Sequence, residues 1–144
     1  MKDRVAVMHG VNLDMLERRP SDVYGELSFP QLERQIGKLA QELGLETRFF
    51  QSNFEGEFVE ELHRAADYAD GLLLNPGAWT HYAWSLRDAV ELTALPAVEV
   101  HLSDVKHREP FRAMSVLDDV CVASVSGQGV DGYRVALERL KEEL

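Results

Sequence analysis

Short apolar runs alternate along this chain with longer stretches in which apolar residues recur every three or four positions. Val5-Ala-Val-Met8, Thr47-Arg-Phe-Phe-Gln51, Gly71-Leu-Leu-Leu-Asn75, Ala97 to His101 and Val120 to Val125 read as strands. Between them the period changes to that of a helix. From Leu27 to Leu43, Leu32, Ile36, Leu39, Ala40 and Leu43 form one stripe. Ser28 and Gln31 have capping-box spacing at its start, and Gly44 suits the residue after its end. Glu57 to Ala66, Tyr82 to Leu92 and Val130 to Leu144 are the other helical stretches. Strands that alternate with helices predict an α/β fold with a parallel sheet and helices on both faces. With five strands, the expected form is a flavodoxin-like, doubly wound sheet of order 2-1-3-4-5 in a single domain spanning 1–144. One segment, Gly10 to Gly25, is a long loop after the first strand, and such loops are usually functional or mobile.

Composition narrows the function classes. Hydrophobic content of 45% and charged content of 28% are those of an ordinary globular protein. A formal net charge of −10 argues against a nucleic-acid surface, yet a few arginines can still make a local anion pocket. The single cysteine, Cys121, lies in an apolar run and reads as a core thiol. It excludes an internal disulfide and suits the cytoplasm. No signal-peptide pattern and no membrane-length apolar run are expected.

The candidate chemistry concentrates where strands end. Glu99 and His101 are two apart on the fourth strand and so share a face, with Val98, Val100 and Leu102 on the other. A carboxylate beside an imidazole fixes its tautomer and favours its protonated form. That pair is either a general acid with its holder or a satisfied structural pair. Other strand ends supply Asn12, Arg19 and Tyr24, then Asn75, His81, Arg87 and Asp88, then Leu102, Ser103, Arg108 and Arg112. Asn75 closes a buried strand and needs a hydrogen-bond partner. Gly127-Gln-Gly129-Val-Asp-Gly132 matches a dinucleotide fingerprint, but it falls at the last strand–helix turn, with 12 residues after Gly132. It reads as a tight turn whose amides could support a nearby loop. No third metal ligand stands at fixed spacing from Glu99 and His101, so no metal site is expected.

Several blocks together resemble the type II 3-dehydroquinate dehydratases. They are Gly10-Val-Asn12-Leu through Arg19 to Tyr24-Gly25, Phe50-Gln-Ser-Asn53-Phe-Glu-Gly-Glu57, Asn75-Pro-Gly-Ala-Trp-Thr-His81 with Leu86-Arg-Asp88, Val98-Glu-Val-His101-Leu-Ser103 through Arg108-Glu-Pro-Phe-Arg112, and Gly132-Tyr133. Val11, Asp14, Glu17, Pro20-Ser21, Phe54, Trp79 and Asp104 depart from the family pattern. The Pro20-Ser21 change removes or displaces a carboxylate from the family's lid.

The resemblance implies a cofactor-free hydro-lyase of the shikimate pathway. It takes a proton from the carbon beside the ketone of 3-dehydroquinate and expels hydroxide from the next carbon. Tyr24 is then the base. A phenol ordinarily titrates near about 10, so Arg19 and Arg108 would have to lower it. Asn75 would hold a water at the enolate oxygen, and His101, held by Glu99, would protonate the leaving group. The Leu102 and Ser103 amides and the Ser103 hydroxyl would take the substrate carboxylate. Asn12, His81 and Arg112 would bind ring hydroxyls. Asp88 would complete a neighbouring subunit's site in a dodecamer built as a tetramer of trimers. Rival readings are a lyase for another polyhydroxylated ring acid, an enzyme of quinate breakdown, and a non-catalytic anion-binding module.

Overall fold

The computed structural model describes residues 1–24 and 26–144, with the side chains of Tyr24 and Lys106 outside the description. Its centre is a five-stranded parallel sheet of order β2-β1-β3-β4-β5, the order the alternating pattern predicts. The strands are β1 (Arg4–His9), β2 (Glu46–Gln51), β3 (Gly71–Asn75), β4 (Ala97–His101) and β5 (Ala123–Ser126). The helices are α1 (Ser21–Tyr24), α2 (Phe29–Glu42), α3 (Glu55–Tyr68), α4 (Trp84–Thr93) and α5 (Asp131–Lys141).

The strands are apolar on both sides because both sides are covered. Val5, Val7, Leu73, Val98, Val100 and Val125 pack on α2 and α5 through Leu32, Ile36, Tyr133, Ala136 and Leu140. Alternate residues Ala6, Met8, Leu72, Leu74 and Ala97 pack on α3 and α4 through Phe58, Leu62, Leu86 and Val90. The two-residue period of a strand thus sorts one run into two cores. The capping box is present: the Ser28 side chain accepts from Gln31 N–H, and the Gln31 side chain accepts from Ser28 N–H. Gly44 ends the helix at φ +75°.

Boundaries move where local hydrogen bonds outcompete apolar pattern. The fifth strand was expected from Val120 but starts at Ala123. The N–H groups of Val120 and Cys121 both donate to Leu117 O, closing a turn, and only Val122 N–H reaches the sheet, at Ala97 O. The third helix begins at Trp84 rather than Tyr82, because Gly77–His81 first forms a 3-10 turn. The segment expected as one long loop contains a 3-10 turn, Leu13–Arg18, and the short α1. Leu13 and Leu16 are buried there and anchor it.

Two glycines let the β1 and β3 ends close on each other. A side-chain carbon on Gly10 would lie 2.1 Å from Pro76 O, and one on Gly77, which has φ +66°, would lie 2.7 Å from Val11 O. Gly10 N–H donates to Asn75 O at 2.7 Å. No smaller compromise exists for any other residue at these positions.

Candidate active site

The parallel register brings the C-terminal ends of the strands to one edge, where ligands bind in open α/β sheets. A cavity of about 120 Å³ opens there. Asn12, Arg19, Asn75, His81, His101, Leu102, Ser103, Arg108 and Arg112 all line it. Three separated stretches of chain, following β1, β3 and β4, therefore converge on one volume, with three guanidinium groups in a protein of net charge −10. Among the described residues no group of three or more His, Cys, Asp or Glu side chains could hold a metal ion.

Glu99 lies behind the lining, 1% exposed. His101 Nε2 is 2.5 Å from its Oε2. The Ser115 hydroxyl donates to Oε1 at 2.7 Å, and the Thr80 hydroxyl donates to Oε2. Burial pushes the Glu99 carboxyl up, but the bonds from His101, Thr80 and Ser115 outweigh it and hold the group below its ordinary range. With Nε2 engaged, Nδ1 is the second proton site of the His101 ring. His81 donates from Nδ1 to Met114 O at 2.7 Å, since a carbonyl can only accept, and Nε2 is its remaining nitrogen.

Asn75 finds its partners inside the protein. Its Oδ1 accepts from Gly77 N–H at 3.1 Å and its Nδ2 donates to Tyr133 Oη at 3.3 Å. Those bonds fix which end of the amide faces which way. Nδ2 carries a second hydrogen. Tyr133 is fully enclosed, and burial pushes its phenol up to about 12. Arg108 Nη1 donates to Ser103 Oγ at 3.3 Å. Arg112 pairs with Glu109 and lies over the Phe111 ring at 4.7 Å. Arg108 follows the short 3-10 turn Val105–His107 as its C-cap and Arg112 lies in a second one, Pro110–Ala113, so they do not form the continuous helical face that their spacing allows.

Two expected residues stand apart from this cavity description. Tyr24 carries its side chain outside the described set. Asp88 is on the outer face of α4, largely exposed, with Oδ1 3.2 Å from Arg87 Nη1. Among the described residues that line the cavity, Asp88 is absent.

The structure also assigns work to residues that the sequence alone left without a role. Asn12 has φ 69°, a left-handed conformation, and Asn53 Oδ1 accepts its N–H at 2.8 Å. Gln51 Nε2 donates to Gly10 O at 3.2 Å and to Asn53 Oδ1 at 3.3 Å, and Asn53 Nδ2 donates to Asp14 at 3.1 Å. The Gln-Ser-Asn run at the end of β2 is thus a buttress for the turn after β1. The fingerprint-like glycines serve a similar end. Gly127 N–H donates to Ser103 O at 3.0 Å and Gly129 N–H to Leu102 O at 3.2 Å. They hold a backbone loop of the protein where a dinucleotide site would hold phosphate. No spacing rule marks Thr80 or Ser115; only the fold shows that their hydroxyls meet Glu99.

This geometry has close relatives. The family model described as dehydroquinase class II matches residues 3–141. A 3-dehydroquinate dehydratase of Caldicellulosiruptor saccharolyticus is 44% identical over 142 residues, covering 98% of each chain. One from Thermotoga maritima is 45% identical over 141 residues, covering 98% of this chain and 96% of its own. The crystal structure of type II dehydroquinase from Butyrivibrio crossotus superposes with a TM-score of 0.93 at 34% identity, over 97% of this chain and 98% of that one. A match across nearly the whole chain, by family model, by sequence and by fold, leads to one conclusion: this chain belongs to the class II dehydroquinase family.

Proposed function

We propose that this enzyme removes water from 3-dehydroquinate to give 3-dehydroshikimate, in aromatic amino acid biosynthesis, through an enolate and without a cofactor. The observation that carries the reading is a single cavity in which a carboxylate-held imidazole, a strand-end amide and arginines face a common volume. A proton beside a ketone is acidic enough for a protein base because the resulting charge spreads onto oxygen. Tyr24 takes that proton. Arg19 and Arg108 favour its phenolate. Asn75 positions a water on the enolate oxygen, and its bonds to Gly77 and Tyr133 support that orientation. His101 gives a proton to the leaving hydroxyl. The substrate carboxylate lies on the Leu102 and Ser103 amides and the Ser103 hydroxyl, while Asn12, His81 and Arg112 bind ring hydroxyls.

A second copy of this chain completes the site. Phe54, Tyr82, Trp84, Phe111 and Met114 are exposed, and α4 carries Trp84 and Asp88 one turn apart on one face. Exposed apolar groups favour burial against a partner. Docking there would carry the Asp88 carboxylate to an arginine-rich cavity mouth. The assembly we propose is trimers joined into a dodecamer, in the cytoplasm.

The test is the ultraviolet absorbance of the conjugated enone, followed with purified protein, 3-dehydroquinate and a chelator. A steady rise that Tyr24→Phe abolishes is the expected result. A folded protein that gives no rise would overturn the substrate and turn attention to another ring acid.

A further inference from the structure

The Glu99 carboxylate is served by more donors than one histidine requires. Oε1 takes the Ser115 hydroxyl and Oε2 takes both His101 and the Thr80 hydroxyl. Ser115 Oγ also accepts from Leu117 N–H at 3.1 Å and lies 2.9 Å from Thr80 Oγ1. Each hydroxyl has a single proton, and both point at the carboxylate. Such a set suits an anion and not a carboxylic acid.

That matters because a buried acid–imidazole pair has two ways to share one proton. Desolvation favours the neutral arrangement, in which the carboxyl keeps the proton and the imidazole is uncharged. The ring then carries its Nδ1 proton as a neutral imidazole, a far weaker acid than an imidazolium. Donors fixed on the carboxylate shift the balance toward the ionic arrangement.

We propose that Thr80 and Ser115 are positioning residues that keep Glu99 ionised and in one plane, so that His101 is held as an imidazolium whose Nδ1 proton goes to the leaving hydroxyl. The inference rests on the reading of His101 as the acid. The step then balances simply. The C–O bond breaks with its electron pair going to oxygen, the enolate pair forms the C=C bond, and the Nδ1 proton passes to that oxygen. Water leaves, and a neutral imidazole remains with Nε2–H on Glu99.

The same two residues also tie the cavity walls together. Val116 N–H donates to Thr80 O at 2.7 Å, beside the His81–Met114 bond. Thr80 precedes His81 and Ser115 follows Met114, so the segments carrying His81 and Arg112 share this hub. Other ionisable groups around His101 are His81 from the turn after β3, Arg19 from the segment after β1, and Arg108 and Arg112 from the turns after β4. The Cys121 thiol is pushed up by burial first and by the Glu99 charge second, so it stays neutral.

Thr80→Val, Ser115→Ala and the double variant provide the test, with kcat, KM and the imidazole nitrogen NMR signals of His101 as readouts. A hydrogen bond to a charged group is worth enough to change a rate by about tenfold or more. Each single variant is expected to lower kcat by about tenfold at nearly constant KM. The double variant is expected to show a neutral His101 ring at a pH where the parent enzyme shows an imidazolium. Thr80→Ser, which restores the hydroxyl, should recover most of the loss seen in Thr80→Val. Wild-type kcat and an unchanged imidazolium in the double variant would overturn the proposal. If one variant fails to fold, the other still reports, because the two hydroxyls serve different oxygens. His101→Gln separates the two readings. Full activity in it would remove His101 as the acid, whereas lost activity in it with unaffected hydroxyl variants would remove only the role given to Thr80 and Ser115.

Discussion

Single residues in this protein take their meaning from what holds them. Glu99 and His101 were legible as a pair because a strand places alternate side chains on one face, and the 2.5 Å contact follows from that rule. The cavity-lining set was legible in part through strand ends and in part only through family resemblance. Thr80, Ser115, Gln51 and Asn53 could not be read as participants, because each acts on a residue 16 or more positions away along the chain. Periodicity carries no information about such contacts. Asp88 is the opposite case: a residue singled out by its motif that its own chain leaves outside the cavity, paired with Arg87. If Asp88 serves a second subunit, Asp88→Ala will lower kcat/KM by at least about tenfold, about 1.4 kcal/mol of transition-state stabilisation. Its stability should change by less than about 0.5 kcal/mol, as for an ordinary surface substitution. Unchanged kcat/KM would make Asp88 simply a surface partner of Arg87.

At the scale of elements, the apolar pattern located every strand and all four long helices, and it erred at their ends. The errors have one cause. Side-chain pattern reports which face is buried, whereas hydrogen bonds decide where an element starts. Val120, Cys121 and Val122 look like strand but spend their first two N–H groups on a turn at Leu117. The segment 10–25 looked structureless because its polar residues conceal the buried pair Leu13 and Leu16. Two substitutions separate the elements that stabilise the fold from those that shape the cavity. Ser28→Ala removes the cap of α2 and should cost about 1 kcal/mol of stability with kcat and KM unchanged. Asn53→Ala frees Asn12 N–H from its 2.8 Å bond and should raise KM several-fold at a stability cost of about 0.5–1.5 kcal/mol. Denaturant unfolding and steady-state kinetics on the pair check this. Equal effects of the two on KM would contradict the buttress role of the β2 end.

For the whole molecule, the sheet order matters more than any one motif. Order β2-β1-β3-β4-β5 sets β1, β3 and β4 side by side, so Asn12, Asn75 and His101 approach from neighbouring strands. The doubly wound arrangement leaves both sheet faces to α2, α5, α3 and α4 and keeps the C-terminal edge free for chemistry. A net charge of −10 keeps the outer surface acidic, while arginines gather at that edge and favour an anionic substrate. In the proposed reaction one group removes a carbon-bound proton and another, on β4, releases the hydroxyl. This division of roles is tested most directly by incubating 3-dehydroquinate in deuterium oxide with Tyr24→Phe and with His101→Ala, and following deuterium at the carbon beside the ketone by NMR. His101→Ala is expected to incorporate deuterium without dehydrating, and Tyr24→Phe to do neither. Deuterium incorporation by Tyr24→Phe, with none by His101→Ala, would contradict it.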